Sequence, residues 1–245
     1  MLNEPTITKL KALRMPSMAR TVAEWQGVSP NDMSALEAIA LLVDIEHQDR
    51  QNRKLDRRIH EAKLPRGAQI EDVRWNKERG IDKVKMRELF ECKWAQHHQN
   101  IILTGATGTG KSFFAGALAR AAIGLGYRAL AVRTPRLLRD LAVARATGRF
   151  SAELARLGRV QVLILDDFLL SPVEIEHARD LLEVIDDRFD RSCTILCSQV
   201  PTDGWHIQLG EPAVADAICD RIVHRAQQLR LTGPSMRKEI ATLNA

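Results

Sequence analysis

Residues 100–114 read NIILTGATGTGKSFF, an apolar run, a glycine loop and the first turn of a helical pattern, and this order decides the fold. Gly105, Gly110, Lys111 and Ser112 fill the pattern G-x-x-x-x-G-K-[ST], with Gly108 inside it. Glycines let successive backbone amides turn inward. Inward amides at a helix N-terminus bind phosphate, because unsatisfied donors and the helix dipole both favour negative charge. The pattern therefore predicts that Gly105, Ala106, Thr107, Gly108, Thr109, Gly110, Lys111, Ser112 and Phe113 cradle the phosphates of a nucleotide. The Lys111 ammonium is expected to reach the β- and γ-phosphates, and the Ser112 hydroxyl to take one position around a Mg²⁺ ion.

Working downstream, residues 160–168 read VQVLILDDF. A near-continuous apolar run predicts a strand buried on both faces of a parallel sheet, and such sheets bind ligands beyond the carboxyl ends of their strands. Asp166 and Asp167 emerge at that end. Ionised carboxylates there need a cation, which Mg²⁺ at Asp166 supplies. Asp167 is then placed to orient an attacking water and take its proton. The alternative is a pair of caps for the helix expected over 172–189. Residues 192–200, SCTILCSQV, repeat the device: Cys193 and Cys197 share one buried face, and either Ser198 or Gln199 is placed to bond the γ-phosphate or the water. The helix expected over 213–227 has an apolar stripe of Val214, Ile218, Ile222 and Val223, and Arg221 lies off it. Arg221 reads either as a salt-bridge residue or as an arginine offered across a subunit boundary to a transferred phosphoryl group. Arg237 and Lys238 are weaker phosphate contacts.

Upstream, apolar residues recur at helical steps over 6–25, with a bend expected at Pro16, and Gly27, Ser29 and Pro30 break the pattern. Ser34 and Glu37 form a capping box that opens a longer helix. Between Arg50 and Arg66, seven basic residues face two acidic ones. Arg50, Lys54, Arg57 and Arg58, with Arg53 between them, form a basic stripe that would track the phosphates of double-stranded DNA; the alternative is a solvated face. No side chains for base readout are evident, so sequence preference is not expected. Pro65 and Gly67 close the helical region and put a domain boundary near residue 68. The segment that follows reads as a linker plus a helix.

The chain has 245 residues, 45% of them hydrophobic, and a formal net charge of +5, which favours polyanionic partners. Its four cysteines make no C-x-x-C pair, so neither zinc nor a disulfide framework is expected. Adjacent His97 and His98 point to different sides and form no metal pair. No apolar run approaches the roughly 18 residues of a membrane span, and the N-terminus lacks an apolar secretory core. A cytoplasmic protein without membrane contact is expected.

Taken in order, GATGTGKS, LILDD, the SQ strand end, DAICDR and IVHRAQQLRLTGPSMRK resemble the IstB-like transposition helper ATPases, which are AAA+ proteins related to the DnaC helicase loader. The resemblance covers nearly the whole chain. It implies an α/β P-loop AAA+ fold of three layers with a central parallel sheet, over 69–245, preceded by a small all-helical domain over 1–68. It also implies Mg²⁺-dependent hydrolysis of ATP, ATP-dependent homo-oligomers on target DNA, and delivery of that DNA to a partner transposase. Lys111 and Ser112 resemble Walker A residues and Asp166 the Walker B metal acid. Asp167 falls where AAA+ proteins usually carry Glu. Ser198 or Gln199 would be sensor I, Arg221 the arginine finger and Arg237 a sensor II residue. The rivals are a loader of the same fold serving a replicative helicase, a DNA-binding adaptor for which ATP is only a structural ligand, and a small-molecule kinase.

Overall fold

The computed structural model describes residues 3–25, 33–73 and 79–236. Gly27, Ser29 and Pro30 lie outside the described residues, as do Arg237 and Lys238. Contacts divide the chain into two compact units, Met1–Arg57 and Arg58–Ala245.

In the first unit, Pro16 starts a helix instead of bending one. Helix α1 spans Asn3–Ala12 and α2 spans Pro16–Glu24, with Pro16 where a missing N–H costs nothing. Helix α3, Ala35–Glu61, opens on the expected box: Ser34 N donates to Glu37 Oε2 at 2.7 Å, and Glu37 N to Ser34 Oγ at 3.3 Å. Helix α2 has no side-chain cap from its own flank. Glu46 of α3 supplies one from across the unit, its Oε2 accepting from Ser17 N at 2.9 Å and Met18 N at 3.2 Å. Its Oε1 accepts from Arg50 Nε at 2.8 Å and Arg53 Nη2 at 3.3 Å. Ser17 also donates its hydroxyl to Asp49.

Glu46 is only 4% exposed. Burial works to raise its pKa, but the bonds from Arg50, Met18 and Ser17 and the Arg50 charge outweigh it and hold the carboxyl below its ordinary 4.5. Stability from this group is complete above the unfolded value and is lost as pH falls through the lowered folded value. The protection of α2 amides, taken relative to their intrinsic exchange rate at each pH, is therefore expected to fall in acid below about pH 4.5. Glu46→Gln should weaken the unit by about 1–3 kcal/mol. Amide protection in α2 that ignores both changes would contradict this account.

Within the second unit, after the last turn of α3, come α4 (Lys83–Phe90) and α5 (Lys93–Gln96). It continues through β1 (Ile101–Gly105), α6 (Lys111–Gly124), β2 (Ala129–Arg133), α7 (Thr134–Ala146) and α8 (Phe150–Gly158). Then come β3 (Val162–Phe168), α9 (Ile175–Arg188), β4 (Cys193–Ser198), α10 (Trp205–Leu209), α11 (Pro212–Val223) and β5 (Gln227–Leu231). The sheet order is β2-β3-β4-β1-β5, and every pairing is parallel. This is the P-loop AAA+ architecture implied by the resemblance. Strands β1, β3 and β4 lie inside the sheet, which is why Ile101–Leu103, Val162–Leu165 and Cys193–Cys197 are buried and read as apolar runs.

Both sheet edges are partly covered. Ala131 N on β2 donates to Ala62 O at 2.8 Å, and Thr232 N beyond β5 donates to Arg79 O at 3.0 Å. Residues 65–68 lie on α6, where a Cβ on Gly116 would stand 2.9 Å from both Pro65 and Ala68. This packing belongs to the second unit, Arg58–Ala245.

At the opposite end of the sheet from the glycine loop, Arg188 is 2% exposed. Its Nη1 donates to Leu157 O at 2.8 Å and Val160 O at 2.7 Å, its Nη2 to Cys193 O at 2.5 Å, and its Nε to Thr194 Oγ1 at 3.2 Å. One side chain thus joins the end of α8 to the starts of β3 and β4.

Candidate nucleotide site

The glycine loop joins β1 to α6 beside a cavity of about 680 Å³. Gly105, Gly108 and Gly110 have φ of 147°, 84° and 95°, backbone that other residues enter at a cost. Space demands glycine as well: a Cβ on Gly105 would meet Leu231 O at 2.2 Å, and one on Gly108 would meet Ser235 Oγ at 2.3 Å. The residues after β5 therefore lie directly on the loop, and Met236 N donates to Gly108 O at 2.9 Å. Ala106, Thr107, Thr109 and Phe113 complete the loop and the first turn of α6.

Lys111 is 8% exposed, and its Nζ donates to Gly105 O at 2.7 Å and Ala106 O at 2.9 Å. Burial lowers its pKa, opposed by the nearby Asp166 and Asp167 carboxylates. A buried ammonium whose bonds go to dipoles is a receptor for an anion. Ser112 Oγ donates to Asp166 Oδ1 at 2.7 Å, joining the head of α6 to the end of β3. These two hard oxygens fit Mg²⁺, which takes one or two carboxylates and completes its shell from phosphate and water. Among the described residues no three His, Cys, Asp or Glu side chains gather as a metal cage.

The β3–β4 register shifts between Leu165 and Phe168, and Asp167 sits in that irregularity at φ 53°. Aspartate tolerates left-handed backbone better than most residues, which gives a conformational reason for Asp where the AAA+ pattern usually has Glu. The Asp167 carboxylate lines the cavity and accepts from Arg133 Nε at 2.9 Å and Nη2 at 2.6 Å. Arg133 ends the neighbouring strand β2, opposite Asp166.

Ser198 and Gln199 have separate environments. Ser198 is fully buried; its hydroxyl donates to Phe168 O at 2.8 Å and accepts from Val200 N at 3.1 Å, tying two strand ends together. Gln199 lines the cavity and accepts from the Thr107 hydroxyl at 2.7 Å. Arg221 does not line this cavity. It borders a separate groove of about 730 Å³, pairs through Nε with Asp186, and donates from Nη1 to Ala217 O at 2.9 Å. Of the basic stripe on α3, Arg50 and Arg53 are bonded to Glu46, Lys54 and Arg57 are exposed, and Arg58 is half-buried.

Two features escaped the residue pattern. Pro65, which closes the helical region, and Val73 and Ile81, in the stretch read as a linker, form an apolar wall of the cavity beside Glu71 and Asp72. Their only signal was apolar residues scattered through a polar segment. The other is Arg133, whose signal was a strand ending in a cation next to one ending in two acids.

Comparison with known proteins follows the same lines. The sequence profile of the family described as IstB-like ATP binding protein matches residues 8–243. The Sinorhizobium fredii protein y4pL, named an insertion sequence ATP-binding protein, is 39% identical over 239 residues, covering 97% of this chain and 98% of that protein. Among solved structures, DnaI gives a TM-score of 0.58 at 22% identity, covering 69% of this chain and 95% of that one. The DnaC helicase loader gives 0.53 at 18% identity, covering 68% and 98%. These two likenesses concern the fold.

Proposed function

This chain belongs to the IstB-like ATP-binding protein family, and from that premise we propose that it is an ATP-hydrolysing helper of DNA transposition. In this reading it assembles with ATP into a homo-oligomer on double-stranded DNA, without strong sequence preference, and delivers that DNA to a partner transposase. The observation that carries the reading is the convergence of Lys111, the Ser112–Asp166 pair and Gln199 on one cavity. The relative named for an insertion sequence supports the transposition setting.

At the residue level, Lys111 exchanges its loop carbonyls for β- and γ-phosphate oxygens, and Gln199 lies where it can bond the terminal phosphate. Ser112 and Asp166 would hold Mg²⁺, which supplies charge neutralisation of the phosphates. Water attacks the γ-phosphorus and gives its proton to Asp167; the bond to the β–γ bridging oxygen breaks, and ADP leaves with the electron pair. Arg133 fixes the Asp167 carboxylate through two bonds to Oδ2, so slow turnover is expected of the isolated chain while that hold persists. Arg133→Ala is expected to raise basal turnover several-fold. A phosphate-release assay that finds no rise would remove the restraint, and absence of turnover in both chains would favour ATP as a structural ligand only. Arg221, absent from its own cavity, would serve the ATP of a neighbouring subunit.

DNA affinity titrated against salt with ATP, with ADP and without nucleotide tests the assembly. Binding is expected to need ATP and to weaken steeply with salt, and Lys54→Ala and Arg57→Ala should each reduce the slope by about one. Affinity indifferent to nucleotide and salt would overturn the reading.

A further inference from the structure

We infer that Asp186 and Asn100 are positioning residues that hold the Arg221 guanidinium open toward a phosphate on a second copy of this chain. The inference rests on the proposed sharing of ATP between subunits and assigns the residues that make the sharing effective.

A guanidinium carries five N–H donors in a planar fork. Asp186, on α9, takes Nε, and Ala217 O, one turn back on α11, takes one Nη1 donor at 2.9 Å. Three donors remain, one on Nη1 and two on Nη2, the two nitrogens of the outer edge. That edge matches two oxygens of one phosphate, the bidentate arrangement that distinguishes arginine from lysine. The Arg221 side chain is 31% exposed and borders its groove, so the side chain is held at Nε and Nη1 without being enclosed.

The backbone beneath it is fixed as well. Arg221 lies in the last turn of α11, where carbonyls lack helical partners. Asn100 Nδ2 donates to Arg221 O and to Ile222 O, each at 3.4 Å. Asn100 Oδ1 accepts from Thr194 N on β4 at 2.9 Å, and Asn100 O accepts from Gln227 N on β5 at 2.9 Å. Asn100 also directly precedes β1, the strand that feeds the glycine loop. One residue thus pins the arginine-bearing turn to three adjacent strands of the sheet. A plain surface ion pair accounts for less of this: with side-chain exposures of 31% and 45%, the pair itself adds little stability, and it requires no clamp on the helix end.

The test compares ATP turnover and ATP-analogue binding for Asp186→Ala, Arg221→Ala and the double variant. Asp186→Ala is expected to lower kcat by about 10- to 100-fold, the effect of a misaimed catalytic group, while nucleotide affinity stays unchanged. The double variant should be no slower than Arg221→Ala alone. Asp186→Asn, which retains an acceptor for Nε, should keep most of the turnover and covers the case in which alanine disturbs folding. Mixing Asp186→Ala chains with Lys111→Ala chains, whose Arg221 is intact, should restore turnover. If Arg221→Ala leaves kcat unchanged, the shared-site reading itself fails. If Arg221→Ala slows turnover but Asp186→Ala leaves it unchanged or raises it, or if the two losses multiply, the positioning role is overturned.

Discussion

Lys111→Ala is expected to lower ATP affinity by about 10²- to 10⁴-fold and to take turnover below detection. The estimate follows from losing two charge-assisted bonds to phosphate, each worth about 1.5–3 kcal/mol. Lys111 is buried, its pKa is pressed down by that burial, and its bonds go to two carbonyls of the loop that surrounds it. A triphosphate gives the ammonium the countercharge that those carbonyls lack. Arginine is not expected to rescue, because its planar fork cannot replace a compact ammonium inside the ring of amides. Thermal unfolding should stay near that of the parent, because no core contact is removed. Calorimetric titration with a non-hydrolysable ATP analogue reads the effect, and unchanged affinity would refute the assignment of the site.

The largest expected effect on stability lies at the other end of the sheet. Arg188→Met should cost about 3–5 kcal/mol, a large part of the 5–15 kcal/mol that holds a typical domain together. Methionine fills part of the volume but leaves three carbonyls and the Thr194 hydroxyl without their buried donor. Burial pushes Arg188 down to about 10, so the guanidinium remains charged at neutral pH and its bonds are charge-assisted. Urea unfolding at constant slope is the appropriate measurement. A loss below about 1 kcal/mol would mean that the strand starts are held together by other contacts.

The sheet and the phosphate loop were legible because each writes its requirement locally. Strands β1, β3 and β4 are covered on both faces, so they must be apolar throughout, and the loop must place glycines at positive φ. Interactions between distant segments left no such trace. Glu46 reads as one more charge on a long helix until α2 is seen to start on it, and Arg188 reads as a helix-terminal cation until three carbonyls surround it. The choice between Ser198 and Gln199 depended on which residue β4 turns toward the cavity, and that is set by pairing with β3 across the irregularity at Asp167. Pro65, Val73 and Ile81 contribute a cavity wall through packing alone, which no periodicity announces.

The bond from Met236 N to Gly108 O has a practical consequence. A label or handle inserted at Met236 itself is, mechanically, bolted to the nucleotide clamp. Purification handles placed there would perturb the property under study, whereas a dye placed there on purpose would turn loading and unloading of the clamp into an optical signal.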